Sequence, residues 1–202
     1  MNLQHSSLVL ASGSPRRTKL LSQWGIEHAV MVSEFAETLD PSLSGGALAE
    51  GLSLSKMRDV RSGLSAFEQE STWVLGADTL VSLGHVHLGK PHTEDAARRM
   101  LKSLSGKCVT VTSGVALGHG RLEFLGHQNS LVWMRRYSDE EIAQYVATGE
   151  PLDKAGSFAI QGLGGALVDR VEGSFSNIVG LPRALVHALL RDSGFPEISS
   201  PS

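Results

Sequence analysis

The sequence predicts an α/β fold whose strands run in mixed directions. Three observations carry this. Short β-capable apolar runs, beginning with LVLA at residues 8–11, alternate with segments of helical periodicity. Capping signals mark helix starts, from Ser14-Pro15 to the pair Ser138 and Glu141. A short turn at Gly84 then sends the strand TWVLGADTLVSL back through HVHLG, as a hairpin does. The 202 residues suit one domain of one or two lobes, long enough to bury a real core.

Taken in order, Leu8 to Ala11 is the first strand, and Gly13 with Pro15 marks the turn that follows it. Ser14 stands as N-cap and Pro15 at the first helical position of a helix with its apolar face on Leu20, Leu21 and Trp24. HAVMV at 28–32 predicts a short strand and residues 46–62 a helix, although Gly51 and the serines oppose it. TWVLGADTLVSL at 72–83 is a strong strand. Thr93 caps a helix with Glu94 and Asp95 in its first turn, ending near Ser105-Gly106. KCVTVTSGVAL at 107–117 alternates as a strand, and RLEFLGHQNSLVWMRR predicts one or two more. Ser138 and Glu141 form a capping box for a helix through Tyr145. Gly156 to Gly180 is glycine-rich with short strands such as ALVDRV, Pro182 opens a last helix, and the chain ends in a frayed tail over 194–202.

Composition excludes several function classes. An apolar share of 41% and a charged share of 19% are ordinary for a globular chain. A net charge of −3 provides no global basic field for nucleic acid or a membrane surface. One cysteine, Cys108, rules out an internal disulfide framework, fits a reducing compartment and reads as a packing residue. No apolar run approaches the roughly 18 residues of a membrane span. The start lacks a basic region followed by a long apolar one, so no signal peptide and a cytoplasmic location are expected.

Chemistry gathers at a few places. Arg16 and Arg17 lie in the first turn of a helix, where the dipole is already positive. Either they are solvated, or with the nearby serines and free N–H groups they make a phosphate site. Asp78 interrupts an otherwise buried strand, so it must face a cleft, a cation or a hydrogen-bond donor. Lys90 sits in a Gly-Lys-Pro turn as a compact cation for a phosphate or for water. In EPLDKAGSFAIQGLGGALV, glycines 156, 162, 164 and 165 allow backbone to approach a ligand closely. Asp153 and Lys154 place opposite charges beside them, and Gln161 offers the donor and acceptor a base edge needs. The spacing matches neither a P-loop nor G-x-G-x-x-G, and no G-x-S-x-G elbow is present. His85, His87 and His92 read as exposed histidines, since His85 and His87 share a strand face without a third ligand.

SGSPRR at 12–17, SEFAET at 33–38, GADT at 76–79, LGKP at 88–91 and DKAGSFAIQG at 153–162 together resemble the motifs of the Maf family, in family order, from about Leu8 to Leu190. The resemblance implies an elongated mixed sheet flanked by helices, two lobes around a central cleft as in inosine triphosphate pyrophosphatase, and a homodimer. It further implies hydrolysis of a nucleoside triphosphate to the monophosphate and pyrophosphate, assisted by Mg²⁺ or Mn²⁺. By motif position, Ser12, Arg16 and Arg17 would contact the triphosphate, Glu37 and Asp78 would serve the metal and the attacking water, and Asp78 would be the base. Lys56, Lys90, Thr79 and Gln161 would complete the site. Arg16, Thr79 and Gln161 match the branch that takes dTTP and UTP, with modified pyrimidine nucleotides as further substrates. The alternatives are the 7-methylguanosine triphosphate branch, which tends to carry Glu near 161, and a regulator of septum formation without turnover. The chain departs from the family around Lys56, where SLSKMRDV replaces the common Glu-Lys-Ala, and at Cys108, where the family commonly has histidine.

Overall fold

The computed structural model describes residues 7–196. Its seven-stranded mixed sheet has the order β2-β1-β3-β5-β6-β7, with β4 also on β3. The apolar run Leu8–Ala11 (β1) is wholly buried, because it lies between two parallel neighbours. It leads into Pro15–Gln23 (α1), where Ser14 takes the N-cap position but its hydroxyl caps nothing. On one side of β1 lies Ala29–Val30 (β2), shorter than the five residues predicted, and residues 31–40 continue without regular structure.

Gly45–Ser62 (α2) forms despite its glycines and serines, capped by Ser44 and anchored by buried Leu48, Leu52, Met57 and Val60. Tertiary packing overrides weak propensity here. A Cβ at Gly76 or Gly114 would collide with the backbone of α2, so the two strand glycines let the helix lie directly on the sheet. Ala66–Ser71 (α3) follows and was not predicted. Trp73–Leu83 (β3), Val86–Leu88 (β4), Glu94–Leu104 (α4) and Cys108–His119 (β5) come next. RLEFLGHQNSLVWMRR yields a single strand, Leu122–Met134 (β6), rather than two. Asp139–Ala147 (α5) carries the expected capping box, with Ser138 and Glu141 bonded reciprocally. Three short 3-10 helices lie within 150–167, ahead of Val168–Glu172 (β7), Phe175–Val179 (α6) and Arg183–Asp192 (α7), with Pro182 at the N-cap of α7.

Two features of β3 create the site. Its pairing with β1 stops at Ala11 opposite Gly76, and its pairing with β4 starts at Val81 opposite Leu88. Between them, Ala77 to Leu80 have no strand partner on that edge among the described residues, while β5 covers the other edge throughout. The odd-numbered face of β3 is also divided. Leu75 and Ala77 belong to a core shared with α1 and α7, and Val81 to a second core shared with α4 and α5. Thr79 and its register partner Ser113 form a polar seam between the two. The first core extends past Leu190: Phe195, assigned above to the frayed tail, is buried against Trp73 at 5.4 Å. The rest of that tail, from residue 197, lies outside the described residues.

Candidate functional site

A cleft of about 710 Å³ opens at the gap in the sheet edge. Its walls bring together Ser12, Arg16, Arg17, Glu37, Lys56, Asp78, Thr79, Lys90 and Gln161, every site residue expected from the sequence. They come from the β1–α1 turn, the irregular segment before α2, α2 itself, the open stretch of β3, the turn after β4 and the glycine-rich loop before β7. The volume lies in the range of small-molecule sites. The turn with Lys90 is tied to the glycine-rich segment, since the Gly156 N–H donates to Gly89 O (3.3 Å) and the His92 N–H to Leu152 O (3.1 Å).

At the floor, Lys56 Nζ donates to Asp78 Oδ1 and to Glu37 Oε1, each at 2.5 Å. This joins a buried carboxylate on β3 to a half-exposed one on the loop before α2. Asp78 is 4% exposed, yet its second oxygen, Oδ2, is buried without a hydrogen-bond partner among the described residues. Leaving such an atom unmet costs on the order of 1–3 kcal/mol, and of the five buried side-chain atoms in this state among the described residues only Asp78 Oδ2 belongs to a residue lining the cleft. Burial pushes the Glu37 carboxyl up, but the Lys56 hydrogen bond and the charges of Lys56, Lys90 and Arg17 outweigh it and hold it below its ordinary value. Glu37 and Asp78 supply hard oxygen donors, and among the described residues no group of three His, Cys, Asp or Glu is placed to hold a metal ion.

The adjacent arginines have separate environments, because neighbours on a helix point about 100° apart. Arg16 is exposed at the rim. Arg17 is buried and donates through Nε to Gly180 O (2.9 Å), Nη1 to Ser12 Oγ (2.9 Å) and Nη2 to Thr79 Oγ1 (3.0 Å). Burial lowers its pKa, with Asp78 acting in the opposite direction. Three of its five N–H donors are thus spent on the protein. Thr79 passes the connection to Ser113 Oγ (2.9 Å), which bonds Asn177 O (2.9 Å).

The glycine-rich loop corrects one expectation. A Cβ at Gly162 would collide with the Glu150 carboxylate, and one at Gly164 with the Tyr145 hydroxyl. These glycines therefore admit the protein's own side chains rather than a ligand. Gln161 is exposed on the cleft wall between them and the cleft. The site also includes Lys154, which no role assignment above covered: it lines the cleft, is largely buried and pairs with exposed Asp153. Its signal was the Asp-Lys pair itself. The histidines do not share a strand face, since His85 precedes β4 and His87 bonds Ser82 Oγ (2.9 Å) and Leu43 O (3.0 Å). Cys108 is half-buried at the start of β5.

Residues 7–193 match the family described as Maf-like protein. The chain is 42% identical over 190 residues to a dTTP/UTP pyrophosphatase of Caldicellulosiruptor bescii, covering 93% of this chain and 95% of that protein. It is 44% identical over 187 residues to the dTTP/UTP pyrophosphatase of Moorella thermoacetica, with 92% and 94% covered. The protein of the same name in Myxococcus xanthus is 44% identical over 196 residues, with 97% of each chain covered.

Proposed function

The chain belongs to the Maf-like protein family, and on that premise we propose that it is a pyrophosphatase of dTTP and UTP. The observation that carries the reading is Asp78, fixed through one oxygen by Lys56 and buried in a cation-rich cleft with its other oxygen unpartnered. In the reaction, water attacks the α-phosphorus, the bond to the bridging oxygen of the β-phosphate breaks, and pyrophosphate leaves. The products are the nucleoside monophosphate and pyrophosphate. Asp78 Oδ2 accepts the proton of the attacking water. Arg16, Lys90 and Ser12 bind the triphosphate and offset the charge that builds on the leaving group. Arg17 stands behind them, holding Ser12 and Thr79 in place.

Glu37 and Asp78 would hold Mg²⁺ or Mn²⁺, and such an ion would supply further charge neutralisation when bound. Lys56 keeps those two carboxylates together against their repulsion. Gln161 pairs with the imide edge of thymine or uracil, for which a neutral amide has both the donor and the acceptor. The names of the relatives support this choice of base. A cytoplasmic location is part of the proposal, supported by the unpaired thiol of Cys108. No helix among the described residues is long and apolar enough to cross a membrane. A homodimer is also part of it and rests on the family resemblance.

The test is pyrophosphate release from a panel of canonical and modified nucleoside triphosphates, with Mg²⁺, with Mn²⁺ and with a chelator. The expected result is turnover of dTTP and UTP above purine triphosphates, lost on chelation. Release from none of the panel would overturn the reading.

A further inference from the structure

Glu150 lies eleven residues before Gln161 and is bonded to the backbone just after it. Its Oε1 accepts from the Tyr145 hydroxyl (2.8 Å) and the Gly164 N–H (3.0 Å), and its Oε2 accepts from the Leu163 N–H (3.0 Å). The same Tyr145 hydroxyl accepts from the Ala159 N–H at 3.3 Å. Backbone is therefore pinned at Ala159, two residues before Gln161, and again at Leu163 and Gly164. Between the pins, the Gly162 N–H donates to Ala159 O (3.1 Å), closing a tight turn on which Gln161 rides. Gly162 and Gly164 leave no room for a side chain between the loop and this carboxylate–phenol pair.

The pair is itself well anchored. Tyr145 is buried in the core of α5, and the Glu150 N–H donates to Thr148 Oγ1 (3.2 Å). Burial raises the Glu150 pKa, but the two backbone N–H groups and the Tyr145 hydroxyl outweigh it and keep the carboxylate ionised near neutrality. Burial also raises the Tyr145 pKa, so its hydroxyl keeps the proton it donates. Two N–H groups on one carboxylate are charge-assisted hydrogen bonds, the stronger class. A loop wrapped in this way has a fixed shape before any ligand enters.

We infer that Glu150 and Tyr145 are positioning residues for base selection, clamping the loop so that Gln161 presents its amide at the cleft wall. The inference rests on the reading above, in which Gln161 meets the pyrimidine. Pre-ordering of the loop lowers the entropy that a bound base must otherwise overcome, so loss of the clamp acts on binding and selectivity more than on the chemical step.

The test is Glu150→Gln, whose NH₂ group faces an N–H donor and leaves Leu163 or Gly164 without an acceptor. Tyr145→Phe is the second variant: it removes the hydroxyl with little change of volume and serves if the first does not fold, as judged by thermal melting. Amide hydrogen exchange is measured on each, together with kcat and KM for dTTP and dATP. The expected result is exchange faster by about tenfold or more at Leu163 or Gly164 in Glu150→Gln, and at Ala159 in Tyr145→Phe. KM for dTTP rises about tenfold, kcat stays within about threefold, and selectivity for dTTP over dATP falls about tenfold. Unchanged exchange overturns the clamp. Faster exchange with wild-type KM and selectivity overturns its role in positioning. A wild-type protein that turns over no nucleotide sinks the underlying reading instead, so the two failures are distinguishable.

Discussion

Asp78 and Glu150 are both carboxylates drawn in from water beside the same cleft, and they are treated in opposite ways. Glu150 accepts three hydrogen bonds, two on Oε1 and one on Oε2, so both of its oxygens are engaged. Asp78 has one short bond from Lys56 on Oδ1 and, among the described residues, none on Oδ2. A carboxylate bonded through both oxygens holds a shape, because moving the loop breaks a charge-assisted bond. One with a bare oxygen keeps that oxygen for a proton or a cation entering the cleft. The fold thus separates holding from reacting by the number of donors it sends to each group.

The same isosteric change in the two residues should therefore give different kinetic signatures. Asp78→Asn keeps the shape, removes the proton acceptor, and is expected to lower kcat by about 10²–10⁴ while nucleotide affinity is mostly retained. Steady-state kinetics beside equilibrium binding of dTTP checks it, and turnover near that of the wild type removes Asp78 from the chemistry. Glu150→Gln, in contrast, is expected to act through KM.

A smaller effect sharpens the selectivity side. Gln161→Glu replaces the amide donor with a second acceptor, at a cost of roughly one hydrogen bond with a charge opposed to it. kcat/KM for dTTP and UTP should fall about tenfold, which is about 1.4 kcal/mol. Activity toward 7-methylguanosine triphosphate, whose ring is cationic, should rise relative to them. A ratio that does not move shows that Gln161 is not the selector.

Glu37 gives the smallest effect, because it is half exposed and water screens it. Its carboxyl is held below the ordinary value of 4.5, chiefly by Lys56 against the opposing effect of burial. A depressed carboxylate contributes stability that is fully present above that ordinary value and lost as pH falls through the lowered one. Urea midpoints of the wild type and Glu37→Gln should differ at pH 6 and converge as the pH falls below 4.5 and through the lowered value. A difference that persists at the acid end contradicts the ion-pair account.

Most of the fold was legible because it rests on local signals. The capping box at Ser138 and Glu141 forms as written, and β3 keeps nearly its predicted length. α3 was missed although Ser65 and Glu68 make the same capping box, because its six residues bury none of their side chains and so show no apolar period. The site was legible as a set of residue types at motif positions. Its bonding was not. Glu37, Lys56 and Asp78 are 19 and 22 residues apart, and no local pattern places them on one nitrogen. Arg16 and Arg17 read as an equivalent pair until the helix turns one outward and the other into the seam beside Thr79. The loop glycines read as ligand contacts because their neighbour Glu150 becomes a packing partner only when the chain folds back on α5.

The central claim is that water attacks the α-phosphorus with Asp78 as acceptor, and isotope labelling addresses it most directly. Turnover of dTTP in ¹⁸O-water, with mass analysis of both products, reads which phosphorus the water reaches. The expected result is ¹⁸O in the thymidine monophosphate and none in pyrophosphate, with the labelled product diminished in parallel with kcat in Asp78→Asn. Label in pyrophosphate, or release of orthophosphate in its place, would contradict the account.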